Sequence, residues 1–132
     1  SKAVELAKDE IEKEADEEEE KKKKEEKTEE VELGKFNIAW HVSAADNTLR
    51  ADFTLIGIVQ SKKRGKFDGV FENNKGRMQG LIIAEFRNST ADDLNDSRLG
   101  LIKRRILEKS TDLLGKPLLN SVVIPDFSYI EQ

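Results

Sequence analysis

The sequence predicts an α+β fold in which a small, mostly antiparallel sheet packs with two helices, preceded by a charged N-terminal helix or stalk. Three observations predict this fold. Two adjacent segments alternate apolar and polar residues with a period of two, two later segments carry apolar residues at helical spacing, and a β-rich segment follows them. The length of 132 residues allows one domain. We therefore expect the order stalk, strand, strand, helix, helix, strand.

Charge is distributed unevenly along the chain. Residues 1–30 contain 8 Lys against 14 Asp or Glu, a net charge of −6, whereas residues 31–132 have a net charge of +2. The first segment has few apolar residues with which to form a core, and acid-to-lysine pairs four residues apart, such as Glu17 with Lys21, favour a helix. We expect residues 1–30 to form a solvated helical stalk and residues 31–132 to form the α+β domain.

Two strands are expected at the start of this domain. The alternation in residues 36–42 and 49–59 is typical of half-buried strands, and the short polar segment between them has the composition of a hairpin loop. The phase of the alternation changes around Gly34, which predicts a bulge there. Ile56 and Ile58 make both faces of the second strand apolar. We therefore expect this end of the strand to be central and covered on both sides.

Two helices are expected after the strands. Apolar residues at spacings of three, four and seven predict an amphipathic helix over residues 67–87, although three glycines weaken it. The clearer helix covers about residues 98–114, with Ser97 as its N-cap and Gly115 as its stop. Its apolar positions form one stripe, and its other face is basic.

A short turn between the helices and a final strand complete the predicted domain. Thr90 and Asp93 have the spacing of a capping box, with aspartate in place of the usual glutamate, and indicate a turn or helix start. Residues 119–130 are rich in β-branched and aromatic side chains. Pro125 interrupts this run and cannot donate a backbone hydrogen bond, so we expect an edge or a bulge there.

Side chains that carry catalysis or bind metals are scarce. The chain has no cysteine, which excludes a thiol nucleophile and cysteine-based zinc sites, and His41 is the only histidine. His41 lies on the polar face of the first strand, with Asp46 and Asp52 as candidate orienting carboxylates but no nucleophile motif. The aspartates within residues 92–96 do not fit a calcium loop and are expected to cap helices. We therefore expect no enzymatic activity, no metal and no cofactor.

Two basic clusters remain as candidate binding residues. One is the loop of residues 62–66, and the other lies on the outer face of the second helix. Exposed cations of this kind suit ion-paired docking with a protein partner. Nucleic acid fits less well, because the chain lacks a recognised module and a strongly basic balance. The candidate partner-binding residues are Lys62, Lys63, Arg64, Arg98, Lys103, Arg104 and Lys109.

The C-terminal third resembles a known family. The segments that carry the resemblance are residues 89–94 (STADDL), 100–115 (GLIKRRILEKSTDLLG) and 122–127 (VVIPDF), with the chain continuing to Gln132. In these segments the chain is similar to the C-terminal part of the flagellar basal-body-associated protein FliL family. Arg77-Met78 and Ile82-Ile83 fit the preceding helix of that family. The matched positions are mainly core residues and a helix stop.

The resemblance implies a bacterial single-pass inner-membrane protein with a periplasmic domain similar in fold to the stomatin and prohibitin domain. It implies assembly with like subunits into rings that support the flagellar stator, or another membrane protein, and no catalytic residues. The membrane segment would precede Ser1. We therefore expect a non-enzymatic, membrane-anchored scaffold domain. The residues leave a second function open, that of a soluble adaptor or a domain that binds polyanions such as nucleic acid.

Overall fold

The computed structural model describes residues 27–97 and 99–132, and it confirms an α+β fold with a small antiparallel sheet packed against helices. The elements in chain order are β1 (Thr28–Val42), β2 (Asn47–Gln60), a 3-10 helix (Ser61–Lys63), α1 (Arg64–Arg87), α2 (Ala91–Asn95), α3 (Gly100–Leu114), β3 (Ser121–Val123) and β4 (Phe127–Glu131). Of the expected stalk, residues 1–26 lie outside the described residues. Its last residues belong to the sheet, because β1 begins at Thr28.

β1 and β2 form a long antiparallel hairpin, as their alternating patterns predict. Phe36 lies opposite Phe53, so aromatic side chains of both strands share one face. The register shifts between Glu32 and Gly34, which confirms the predicted bulge. A Cβ atom on Gly34 would lie 3.0 Å from the Phe36 ring. The bulge therefore favours a residue without a side chain at this position.

β2 is the central strand of the sheet. On the side away from β1, residues 56–58 pair with β3 and residues 49–53 pair with β4, both antiparallel. Pro125 lies between β3 and β4, where its missing N–H interrupts no ladder. In the gap between the two pairings, the backbone N–H of Thr54 donates to Oδ1 of Asp126 at 3.1 Å. A side chain thus replaces the strand bond that is missing there.

The helices cover one face of the sheet, called here the inner face. Its buried residues on β1 and β2 include Phe36, Ile38, Trp40, Leu49, Ala51, Phe53, Leu55 and Val59. Ile56 and Ile58 lie on the opposite, outer face and are only half-buried. The expectation that this end of β2 is covered on both sides is therefore wrong. Ile56 is flanked instead by its strand neighbours Glu32 and Val123.

α1 confirms the predicted amphipathic helix and extends it to Arg64. Its buried residues are Phe67, Phe71, Met78, Ile82, Glu85 and Phe86. Gly69, Gly76 and Gly80 lie on the exposed side, where an added Cβ would meet no atom within 4 Å. These glycines lower helix propensity without shaping the packing. Burial of the apolar stripe is what stabilises the helix.

α3 begins later than predicted, and Ser97 is not its N-cap. The first helical residue is Gly100, and the cap position is Leu99, which has a left-handed backbone conformation (φ 50°, ψ 37°). Oδ2 of Asp96 accepts the Gly100 N–H at 2.9 Å, a role expected of Ser97. Leu99 is 5% exposed. The free energy gained by burying its side chain offsets the cost of its left-handed backbone. The end of α3 at Gly115 (φ 74°) is as predicted.

The connection from α1 to α2 is tied to the sheet. Thr90 and Asp93 form the predicted capping box at the start of α2, in which the Thr90 N–H donates to Oδ2 of Asp93 at 3.0 Å. One residue earlier, the carbonyl oxygen of Ser89 accepts the indole N–H of Trp40 at 3.0 Å. Both atoms are buried, so this bond fixes the end of α1 against β1.

Phe53 joins three elements through its ring. Its centroid lies 5.1 Å from that of Phe36 on β1 and 4.3 Å from that of Phe86 on α1, with all three rings stacked. Phe53 itself lies on the central strand and is 4% exposed. Stacked aromatic pairs add to the free energy gained by burying their area. This stack therefore holds α1 on the inner face.

We expect Phe53→Ala to lower the free energy of unfolding by about 3–5 kcal/mol, because the substitution leaves a cavity between two rings. Urea denaturation of the full chain measures this change. Ile130→Ala is the matched control, because Ile130 is 56% exposed on β4 and should change stability by no more than about 0.5 kcal/mol. Equal losses for both variants would contradict a central role for Phe53.

Candidate interaction surfaces

The predicted partner-binding residues fall on three elements, except for one that lies outside the described residues. Lys62 and Lys63 lie in the 3-10 helix and Arg64 begins α1. Residues on α3 are Lys103, Arg104 and Lys109. Arg98 is the residue outside the description. The remaining six differ in whether a carboxylate of the same chain pairs with them. A paired cation connects parts of the fold, whereas an unpaired one is available to a partner.

Arg64 is neutralised by carboxylates of the same chain. Its Nε lies 2.9 Å from Oδ1 of Asp68, one helical turn further on, and its Nη1 lies 3.7 Å from Oε1 of Glu29 on β1. Both pairs are partly exposed, so each adds little to stability. Arg64 thus connects the start of α1 to the start of β1.

Lys109 is also paired, and its partner is buried. The ammonium of Lys109 on α3 donates to the carboxylate of Glu85 on α1, which is 2% exposed. A carboxylate buried at a helix interface needs a charged partner to offset the loss of its hydration. Lys109 therefore connects the two long helices. Sequence reasoning missed Glu85, although it stands seven residues after Met78 and three after Ile82, the spacing of the buried stripe of α1.

We expect Lys109→Ala to lower the free energy of unfolding by about 1–3 kcal/mol, because it leaves the Glu85 carboxylate buried without its cation. Adding Glu85→Gln should restore part of the loss, since the amide carries no charge. Lys103→Ala on the same helix is the control, as Lys103 makes no ion pair with any described residue. Urea denaturation of the parent chain and the three variants measures these changes. An equal loss of stability in Lys103→Ala and Lys109→Ala would contradict this role.

Three lysines that form no ion pair with a described carboxylate lie close together, and we call Lys63, Lys66 and Lys116 the three-lysine cluster. Lys66 is on the first turn of α1, and Lys116 follows the residue that ends α3. A side-chain interaction with Lys116 and the charge of that residue lower the pKa of Lys66, and loss of hydration and the Lys63 charge add to the effect. No local pattern marks Lys116, which is fifty residues from Lys66.

We expect Lys116→Gln to raise the pKa of Lys66 toward its ordinary value of 10.5, because the neutral amide removes the nearest positive charge. NMR titration of the Lys66 side chain measures this shift, and Lys103→Gln is the control. In the parent protein, the unfolded chain binds more protons than the folded chain between the lowered pKa and 10.5. Stability should therefore rise with pH in that window, and less so in Lys116→Gln. An unchanged Lys66 pKa would contradict the proximity of the two ammonium groups.

β1 provides a second surface, because it forms an edge of the sheet. Over its 15 residues it pairs with β2, and no other strand within the described part of the chain pairs with it. Charged residues and the Gly34 bulge occupy its first half. The outward side chains of its second half are Asn37, Ala39 and His41, all exposed. Long unpaired edges favour pairing with another chain unless charges or bulges prevent it.

The candidate acid–base residues lie on the surface. Nε2 of His41 is 3.5 Å from Oδ1 of Asp46, and the two side chains are 53% and 95% exposed. Asp52 lies opposite Asn37, away from His41. His41 is thus an exposed strand residue, as predicted, and it approaches only one of the two candidate carboxylates. Asp93 and Asp96 cap α2 and α3, which confirms their predicted capping role.

An open groove of about 400 Å³ lies beside the break between β3 and β4. Its lining includes Lys35, Asp52 and Asp126. There the carboxylate of Asp126 accepts a hydrogen bond from the backbone N–H of Thr54. Among residues 27–97 and 99–132, no group of three or more acidic or histidine side chains is placed to hold a metal ion. Within the same residues, no helix is both long and apolar enough to cross a membrane.

In comparisons with known proteins, no model of a protein family and no curated protein matches this chain. The fold and the two surfaces therefore carry the functional argument.

Proposed function

We propose that this chain is a non-enzymatic, FliL-like interaction domain on the periplasmic side of a bacterial inner membrane. A segment upstream of Ser1 would anchor it. It would associate with like subunits and support a flagellar stator or a related ring-forming membrane assembly.

The unpaired edge of β1 is the observation that carries this proposal. Peptide groups along such an edge can donate to and accept from a strand of another subunit. The first half of β1 is protected, since Glu30 and Glu32 repel a second copy of themselves and the Gly34 bulge interrupts the ladder. The second half, residues 36–42, has neither device. It is therefore the segment through which like subunits would associate.

The positions that carry the FliL resemblance support a shared fold. Leu94, Ile102, Ile106 and Leu114 are buried, and Gly115 ends α3 with a left-handed backbone. Core residues indicate the fold of a domain, and they say less about what the domain binds. The resemblance thus supports a domain of this architecture, and the β1 edge supports its use in assembly.

We expect the full chain to self-associate in a concentration-dependent manner, measured by sedimentation velocity. Asn37→Lys should weaken this association, because it places a charge on the unprotected part of the edge. The introduced ammonium group would face Asp52 on β2, so the fold should be retained. Asn73→Lys adds the same charge at an exposed position of α1 and is the matched control.

A strict monomer at every concentration, or equal weakening by both variants, would contradict assembly through β1. The anchoring part of the proposal has a separate test. The gene should encode an apolar segment of about 20 residues upstream of Ser1, and a polar segment there would contradict the membrane anchor.

A further inference from the structure

We infer that two copies of this chain pair antiparallel through their β1 edges, with a two-fold axis at Ala39, and form a dimer with one continuous sheet. This inference rests on the proposed function, because it concerns association of like subunits through the same edge. It goes further in giving the direction of the paired strands, their register and the number of subunits that the contact can hold.

The hydrogen bonds of β2 determine which peptide groups of β1 point to the open edge. Thr48 on β2 exchanges two backbone hydrogen bonds with Gln132, of 2.9 and 2.8 Å, and the N–H of Thr54 donates on that same side of the strand. Backbone groups alternate between the two sides of a strand. The odd-numbered residues of the segment 47–53 therefore face β1, where their partners are the even-numbered residues of the segment 36–42.

The odd-numbered residues of β1 face the open edge instead. They are Asn37, Ala39 and His41, whose N–H and C=O groups point away from β2. Within the described part of the chain, β2 is the one strand that pairs with β1. A second copy of the same strand in antiparallel orientation offers matching donors and acceptors. Each of the three residues would donate one hydrogen bond and accept one across the two-fold axis.

The length of the unprotected edge determines the register. The Gly34 bulge precedes this part of the strand, and β1 ends at Val42. Ala39 is the midpoint of residues 36–42, so an axis at Ala39 pairs the whole segment with its second copy. Any other antiparallel register pairs fewer of these residues and leaves more backbone groups without a strand partner.

The side chains on the outer face agree with this register. Ala39 meets Ala39 of the second copy, so the smallest of the three outward side chains lies on the axis. Asn37 lies opposite His41 of the second copy, and its amide can donate to a ring nitrogen of that histidine. A shift of two residues would place the Lys35 ammonium opposite His41, which is also positive when protonated.

A contact of this kind holds two subunits. A two-fold interface uses the same surface on both copies, so the β1 edge of each subunit is occupied by the other. The two four-stranded sheets would then form one sheet. At its outer edges lie β3 and β4, which have three and five residues and are too short for a ladder of similar length. A larger ring would therefore be built from such dimers through another surface.

Single cysteines test this geometry, because the chain has no cysteine of its own. Facing residues of a hydrogen-bonded antiparallel pair have Cα atoms about 5.5 Å apart, within the range that a disulfide spans. Under mild oxidation, we expect Ala39→Cys to form a disulfide-linked dimer at least about tenfold faster than Asn73→Cys. The control position, Asn73, is exposed on α1. Non-reducing electrophoresis over time measures both rates.

Two further variants test the direction and the register. Asn37→Cys and His41→Cys should each link slowly alone and rapidly in an equimolar mixture, since these two positions face each other across the axis. Rapid linking by both variants alone would indicate parallel strands. Rapid linking in a mixture of Asn37→Cys with Ala39→Cys would indicate a shifted register. Either result overturns the inference.

Sedimentation velocity of the reduced proteins separates this inference from the proposed function. Self-association of the parent chain without rapid linking of Ala39→Cys would overturn the two-fold pairing and leave the association of like subunits standing. A strict monomer would overturn both. Self-association together with the expected pattern of linking supports the pairing.

Discussion

The structure depends on a sheet with one apolar face that helices must cover, and the stack of Phe36, Phe53 and Phe86 is where this requirement is met. The three rings join the edge strand, the central strand and α1. α1 follows β2 through a single short 3-10 helix. Packing of the C-terminal end of α1 against Phe53 therefore also restricts the position of its N-terminal end. That start is held at the end of the sheet, where the N–H of Ser61 donates to the carbonyl oxygen of Lys27 at 2.9 Å. The aromatic core thereby places a basic turn beside the first described residues of the chain.

Some cations of the domain have a structural role. Arg64 and Lys109 connect elements, because each meets a carboxylate of another element, and in the case of Lys109 the carboxylate is buried. The three-lysine cluster instead brings like charges together, and contact with Lys116 lowers the pKa of Lys66.

Local patterns in the sequence were sufficient to predict the β1–β2 hairpin, the two long helices, the Gly34 bulge, the Thr90 capping box and the end of α3 at Gly115. These features depend on backbone conformation and on spacings of a few residues. The single final strand expected over residues 119–130 is instead two strands, β3 and β4, separated at Pro125. The side of β2 that the helices cover became visible only in the folded chain, as did the pairing of Lys109 with Glu85 and the meeting of Lys116 with Lys66. Such neighbours depend on how helices cross and which face of a sheet they cover, and residues far apart in the chain carry no local pattern that records this arrangement.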